Sequence, residues 1–291
     1  MIKKRDYISA SQISTFLECP LLYKKKYILW EKIYWGGWLE YMVYWTAIHS
    51  VLEKNYKQKI LSRIDLPLKE LLDYWRIKFK KELAKETKNF NEEIVNKLIK
   101  QWEKMITLYM RDIAPNNQPV SSEQEFEITS EKYWITIKWY IDLILEDWTI
   151  IDFKTVWESK VKQWSQSYVD NLIQLSMYSL AFRKTHWKSE KCLRIEALKG
   201  LKAWPKINII DTYRSNRQIE QLSQLMRQMR KLIDLWLFYP NLTNCNTCDF
   251  KDNCNKLCLD EESISEEDME EMVIVEEYNE TIKIDLDFLL N

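Results

Sequence analysis

The chain has 291 residues, of which 46 % are hydrophobic and 30 % charged, a balance that excludes a disordered or fibrous protein. Residues 259–291 hold 13 acidic residues and one lysine, which leaves a net charge of +11 for residues 1–258. A basic body of this size favours a polyanionic partner such as nucleic acid; lysines and arginines that only solvate helix faces are the alternative. No apolar run could span a membrane and no signal peptide begins the chain, so we expect a cytoplasmic protein without a membrane partner.

The first part of the chain has the periodicity of helices. Ser9 and Ser11 are suitable N-caps for a first helix, which Cys19-Pro20 interrupts. Helical spacing of apolar residues predicts a second helix over 44–59 and two long, charged helices over about 67–88 and 91–112.

The pattern changes to strands at Ser121. Apolar residues alternate with polar ones, or β-branched residues dominate, in 125–128, 135–137, 141–145 and 149–153. These segments predict a meander of three or four strands. The remainder predicts a helix over about 166–184, strands over 193–198 and 207–212, and a helix over 215–238. We therefore expect an α/β domain with helices packed on a mixed sheet.

Two carboxylates and a lysine fall on neighbouring strands of this meander. A hairpin turn around Trp148 would pair the strands and bring Asp142 beside Asp152. Lys154 lies two residues after Asp152, hence on the same strand face. Converging carboxylates are suitable ligands for Mg²⁺ or Mn²⁺, and a nearby lysine could orient a water and neutralise charge on a phosphate. Ordinary strand-end charges are the alternative.

Three further residues could join this site. His49, one of two histidines, lies in the second helix, and imidazole is a suitable extra ligand for Mn²⁺. Gln174 and Tyr178 lie four residues apart on the later helix and therefore share one face, from which they could reach phosphate or a metal-bound water.

The cysteines near the C-terminus have the spacing of metal ligands. Cys245, Cys248 and Cys254 supply three thiolates, and the fourth ligand could be Cys19 or Cys258. Four thiolates can hold a [4Fe–4S] cluster or Zn²⁺. We expect Cys192 to be a buried strand residue with no special function.

The order of these residues resembles the PD-(D/E)XK nucleases of the RecB and Cas4 type. The similarity extends over residues 8–256. Its motifs are the N-terminal stretch Ile8–Pro20, His49, Asp142, Asp152-x-Lys154, Gln174-x-x-x-Tyr178, and the stretch Phe238–Asn241 followed by cysteines.

The resemblance implies a restriction-endonuclease-like core with a mixed sheet flanked by helices, a helical insertion and a Cys-rich C-terminal knuckle. The nuclease domain would span 1–258, with the insertion at about 60–115, the iron–sulfur knuckle at 241–258 and an acidic tail at 259–291. The implied activity is a metal-dependent DNA nuclease, in particular an exonuclease on single strands or DNA ends, in repair, recombination or CRISPR adaptation. A helicase or CRISPR-adaptation partner would fit this role. A non-catalytic DNA-binding or scaffold subunit with a structural iron–sulfur or zinc site is the alternative.

The resemblance also implies a role for each site residue. His49, Asp142 and Asp152 would hold the Mg²⁺ or Mn²⁺, Lys154 would assist the nucleophile, and Gln174 and Tyr178 would complete the active site. Glu125 is a candidate additional acidic neighbour.

In iron–sulfur members of the family, a cysteine before a proline near the N-terminus joins three near the C-terminus. Cys19-Pro20 matches this layout and favours iron–sulfur over zinc, with Cys19, Cys245, Cys248 and Cys254 as ligands.

Tryptophan occupies several positions where glycine is expected. The chain has 14 Trp and 3 Gly, where average usage of about 7 % glycine predicts roughly 20. Trp45, Trp139, Trp148 and Trp236 stand where the resembling family usually carries Gly. We hypothesise that such codons are UGA, read as glycine by the source organism, and that the literal sequence folds poorly or projects indoles into the cleft. A genuinely Trp-rich protein that stacks bases is the alternative.

Overall fold

The computed structural model describes residues 7–31, 39–86, 92–130, 135–157, 165–200, 205–248, 250–251 and 254. The chain divides into two compact units, Met1–Pro240 and Asn241–Asn291. The helices of the first unit are α1 (Ala10–Glu18), α2 (Pro20–Tyr23), α3 (Leu39–Ser62), α4 (Leu68–Glu86), α5 (Glu92–Asp112), α6 (Gln166–Asp170), α7 (Ile173–His186) and α8 (Asn216–Asp234). Its strands are β1 (Pro119–Ser130), β2 (Ile135–Leu145), β3 (Thr149–Trp157), β4 (Cys192–Gly200) and β5 (Lys206–Thr212). In the second unit, Leu242–Thr247 forms a 3-10 turn.

The five strands form one sheet in the order β1-β2-β3-β4-β5. The β3–β4 pair is parallel and the other three pairs are antiparallel. Helices α6 and α7 supply the long connection that a parallel pair requires. The predicted mixed sheet flanked by helices is therefore confirmed, and the fold is α/β.

Two hydrophobic cores cover the two faces of the sheet. The first, which we call the α7-side core, packs α1, α7 and α8 against one face, with Ile150 of β3 as a member. The second, the α3-side core, packs α3, α4 and α5 against the other face, with Phe153 as a member. Alternate residues of one strand thus enter different cores, as the two-residue period of a strand requires.

The helix boundaries follow from local chemistry. Ser9 caps α1 through a hydrogen bond that it accepts from the Gln12 amide, as predicted. The helix predicted over 166–184 is divided into α6 and α7, because Leu172 is extended and its carbonyl accepts a hydrogen bond from Arg214. The helix predicted over 215–238 ends at Asp234, shortly before Trp236, whose φ of 60° is not helical.

Among the described residues, no helix combines the length and the apolar character that crossing a membrane would require.

Tryptophans occupy most of the left-handed positions in the described part of the chain. The non-glycine residues with positive φ are Trp30, Arg63, Glu123, Trp148, Trp187 and Trp236. Trp148 ends a three-residue hairpin loop, and Trp187 ends α7, two places where glycine is typical because a Cβ disfavours this conformation. These positions support the recoding hypothesis.

Trp139 does not follow this pattern. Its indole is buried in the α7-side core and stacks on Phe126 at a centroid distance of 6.4 Å. The expectation that this indole projects into the cleft is therefore wrong.

Replacement of Trp187 by glycine should stabilise the protein. The side chain is 88 % exposed, so little packing is lost, while a left-handed cost of roughly 1–2 kcal/mol is relieved. Because glycine adds entropy to the unfolded chain, we expect a net gain of roughly 0.5–1 kcal/mol in the free energy of unfolding. Urea denaturation measures it. Trp187→Ala, which keeps the Cβ, is the control, and equal stability of the two variants would contradict this explanation.

Candidate active site

A fork between β2 and β3 places Asp142 opposite Asp152. The two strands pair only at Leu143–Ile151 and Ile144–Ile150, and the next residues in this register are the two aspartates. Asp142 Oδ2 accepts a hydrogen bond of 2.8 Å from the Phe153 amide. In a regular antiparallel pair, a backbone carbonyl of the neighbouring strand would accept this hydrogen bond. Beyond this point β2 pairs with β1 and β3 with β4, so the sheet opens at the level of the two carboxylates.

At Asp142 the alternation of side chains along β2 shifts by one residue, so that residues of the same parity enter different cores before and after it. Before it, Ile141 packs in the α7-side core. After it, Ile144 packs in that core and Leu143 packs in the α3-side core. The opposite strand is irregular at the same level, because Glu123 has a φ of 52°. Because of these irregularities, the carboxylates of Glu123 on β1 and Asp142 on β2 both lie at the fork.

Asp152, Lys154, Gln174 and Tyr178 form a closed ring of polar contacts. Lys154 Nζ lies 2.7 Å from Asp152 Oδ2 and donates to Gln174 Oε1 at 2.9 Å. Gln174 Nε2 donates to the Tyr178 hydroxyl at 2.8 Å, and this hydroxyl donates to Asp152 Oδ1 at 3.0 Å. The two α7 residues thus hold the carboxylate and the ammonium in place. Gln174 and Tyr178 were expected to reach phosphate or a metal-bound water. In this structure Gln174 contacts Lys154, and Tyr178 contacts Asp152.

His49, Glu123 and Asp142 bring three ligand atoms within 4.8 Å of one another. Nδ1 of His49 lies 3.8 Å from Asp142 Oδ2, and its Nε2 is buried without a hydrogen-bond partner among the described residues. Asp152 is not a member of this cluster; its Oδ1 accepts a hydrogen bond from Tyr178 and its Oδ2 lies 2.7 Å from Lys154 Nζ. The structure therefore groups Glu123, rather than Asp152, with the two other predicted metal ligands.

Burial is the main control on the charge of this cluster, and neighbouring charges add to it. Burial raises the pKa of Asp142 to about 6, although Lys154 opposes the shift. Burial, and then the neighbouring Asp142, raises the pKa of Glu123 to about 7. Burial and Lys154 lower the pKa of His49 to about 4, so its imidazole is neutral at pH 7 and can donate a lone pair.

Glu123 is the site residue that the sequence did not reveal. The candidate acidic neighbour was Glu125, but this residue is exposed and paired with Lys138. Ser122 and Gln124 pair with Leu143 and Ile141, which places Glu123 opposite Asp142. The register of the β1–β2 pair and the positive φ of Glu123 distinguish the two glutamates.

Trp45 shares the helix face of His49. Its ring lies 4.3 Å from the imidazole and is 46 % exposed. The indole therefore crowds the helix face that presents the imidazole, as expected if glycine belongs at position 45.

Similarity to known proteins identifies the family of the chain. Residues 7–255 match the family model of the PD-(D/E)XK nuclease superfamily, so the chain belongs to that superfamily. Eleven solved chains also match. One of them, named "Putative exonuclease", is from Eubacterium rectale; it is 15 % identical, with 85 % of this chain and 88 % of that chain covered at a TM-score of 0.54. Such a distant likeness shows the fold. No curated protein matched the sequence.

Divalent metal should stabilise the protein more at high pH than at low pH. The folded-state pKa values of Asp142 and Glu123, about 6 and about 7, exceed the ordinary values. Without metal, the protonated carboxyls therefore contribute stability that is fully present below about pH 4. This contribution is lost as the pH rises through the folded-state pKa values. A bound cation requires ionised carboxylates and removes this penalty. The rise in thermal unfolding midpoint on addition of Mn²⁺ should therefore be larger at about pH 8 than at about pH 5.

Two variants give the matched control for this measurement. Glu123→Gln should reduce the Mn²⁺-induced rise, whereas Glu125→Gln, two residues away and paired with Lys138, should leave it unchanged. An equal rise at both pH values would contradict binding at these carboxylates.

Proposed function

We propose that this protein is a metal-dependent deoxyribonuclease of the RecB and Cas4 type. The observation that carries the proposal is the juxtaposition, at one fork of the sheet, of the His49–Glu123–Asp142 cluster and the polar ring of Asp152 and Lys154. A divalent cation site beside a lysine is suited to hydrolysis of a phosphodiester.

The residues of the cluster fit Mg²⁺ or Mn²⁺. Two carboxylates and one neutral imidazole are hard donors, and the buried Nε2 of His49 has no other partner among the described residues. A cation bound there would lower the pKa of a water and stabilise charge on a phosphate. Asp152, across the fork from Asp142, is an additional ligand in this proposal.

Lys154 supplies the positive charge of the reaction. Its side chain is mostly buried, and its ammonium is directed by Asp152 and Gln174. A fixed ammonium can orient a water and neutralise a phosphate without reorganisation. In this proposal Gln174 and Tyr178 are positioning residues, because they act on Lys154 and Asp152 through the ring.

The substrate that we propose is single-stranded DNA or a DNA end. The net charge of +11 on residues 1–258 favours a polyanion, and a solved structure with the same fold is named an exonuclease. DNA repair, recombination or CRISPR adaptation, with a helicase or adaptation partner in the cytoplasm, is the corresponding setting.

Asp152→Asn should abolish metal-dependent cleavage and leave DNA affinity nearly unchanged. The variant keeps the shape and one acceptor for Tyr178, but it loses the charge that holds Lys154 and contributes to the metal site. We expect a loss of at least about a hundredfold in the cleavage rate of end-labelled single and double strands with Mn²⁺. Glu125→Gln is the control and should retain activity. If Asp152→Asn cleaves like the wild type, the site is elsewhere; if the wild type binds DNA without cleavage, the alternative of a non-catalytic subunit holds.

We further propose a [4Fe–4S] cluster held by Cys19, Cys245, Cys248 and Cys254. The support is the ligand spacing, together with the position of Cys19 at the N-cap of α2. The Leu21 amide donates to the carbonyl of Tyr239, so the chain passes beside Cys19 shortly before residue 241. In this proposal residues 241–258 are the iron–sulfur knuckle and 259–291 the acidic tail; Cys258 lies outside the described residues.

Cys19→Ser should remove the cluster. Protein purified without oxygen should be brown, and the variant should lose this colour and its iron because one of four thiolates is missing. Cys192→Ala is the control, because Cys192 is buried on β4 beside Thr149 and should not affect the iron content. Metal analysis of both variants checks this expectation. Stoichiometric zinc in colourless wild-type protein would contradict iron–sulfur and support zinc.

A further inference from the structure

Lys199 is a buried lysine outside the active-site ring. It lies on β4, is 4 % exposed, and has no ion-pair or hydrogen-bond partner among the described residues. Burial, and then the charge of Lys206, lowers its pKa. Such a group requires an explanation, because the residue is almost entirely covered and its ammonium has no counter-charge among the described residues.

The register of the sheet makes this position less favourable still. Lys199 pairs directly with Lys206 of β5, and like charges directly opposite each other destabilise a sheet. The preceding residues on the same face of β4, Ile195 and Ala197, are buried and apolar. An apolar residue at 199 would continue this pattern, so folding alone does not account for the lysine.

The same register locates Lys199 beside the active site. On the shared face of β3 and β4, Asp152 pairs with Ile195, Lys154 with Ala197 and Val156 with Lys199. A rise of about 3.3 Å per residue and a strand spacing of about 4.8 Å put the Cα atoms of Lys154 and Lys199 about 8 Å apart. This separation is comparable with the distance between neighbouring phosphates of one nucleic acid strand.

We propose that Lys199 and Lys206 bind a backbone phosphate of the nucleic acid strand whose scissile phosphate lies at Lys154. The inference rests on the proposed nuclease function and adds a second phosphate site along the strand. Phosphate is the partner that compensates both ammonium groups at once.

The test is the salt dependence of binding of a fluorescein-labelled single-stranded oligonucleotide, measured by fluorescence anisotropy in EDTA so that no cleavage occurs. Lys199→Met and Lys206→Met keep an apolar stem and remove one charge each. Each should weaken binding several-fold at low salt and reduce the slope of log affinity against log salt by about 0.7, the value for one phosphate contact on a single strand. Lys69→Met, an exposed lysine of α4, is the control and should leave the slope unchanged.

Thermal unfolding distinguishes this role from a structural one. Since Lys199→Met removes a buried charge opposite Lys206, it should unfold at a higher temperature than the wild type while it binds DNA less well. Unchanged affinity and slope in both variants, or a loss of binding that parallels a loss of stability, would overturn the inference. A wild type that neither binds nor cleaves DNA would instead overturn the proposed function, so the two failures are distinguishable.

Discussion

The hydrogen bond from the Phe153 amide to the Asp142 carboxylate determines the geometry of the site. It takes the place of a backbone contact between β2 and β3 and lets the two strands separate immediately beyond their short paired segment. A continuous ladder here would close the sheet, and His49 from α3 and Tyr178 from α7 would then be separated by it. The fork lets helices from opposite faces reach the same pair of carboxylates.

The two sides of this fork are electrostatically different. Asp152 has an ammonium at 2.7 Å and a hydroxyl donor, and this ammonium opposes the rise in pKa that burial imposes on the carboxyl. Asp142 and Glu123 lie close together with a neutral imidazole, and their pKa values are raised. The Asp152 side therefore holds the ammonium of Lys154, whereas the side of Asp142 and Glu123 favours a metal cation from solution. In the proposed metal site, α7 supplies the positioning residues, and α3, β1 and β2 supply ligands, with Asp152 of β3 as an additional ligand.

Patterns of short range were sufficient to predict much of this arrangement. Alternation along β2 and β3, with a turn between them, placed Asp142 near Asp152, and spacing alone placed Lys154 on the same face as Asp152. Glu123 could not be predicted in this way, because its orientation depends on a left-handed φ and on strand register, neither of which is a local pattern. The division of the predicted helix at Leu172 likewise depends on Arg214, a residue distant in sequence.

Trp148 has a consequence for how the chain reaches this structure. The β2–β3 hairpin is a local contact, whereas the parallel β3–β4 pair must wait for the long connection through α6 and α7. Hairpins close within microseconds when their turn residues suit the turn, and non-local strands pair more slowly. A left-handed tryptophan at the end of the hairpin loop raises the barrier for the one early step that aligns Asp142 with Asp152. Glycine at this position would therefore speed closure of the hairpin and shorten the time during which the strands of the sheet are exposed to aggregation, although it would also remove the contacts of the indole with Phe182 and Lys188.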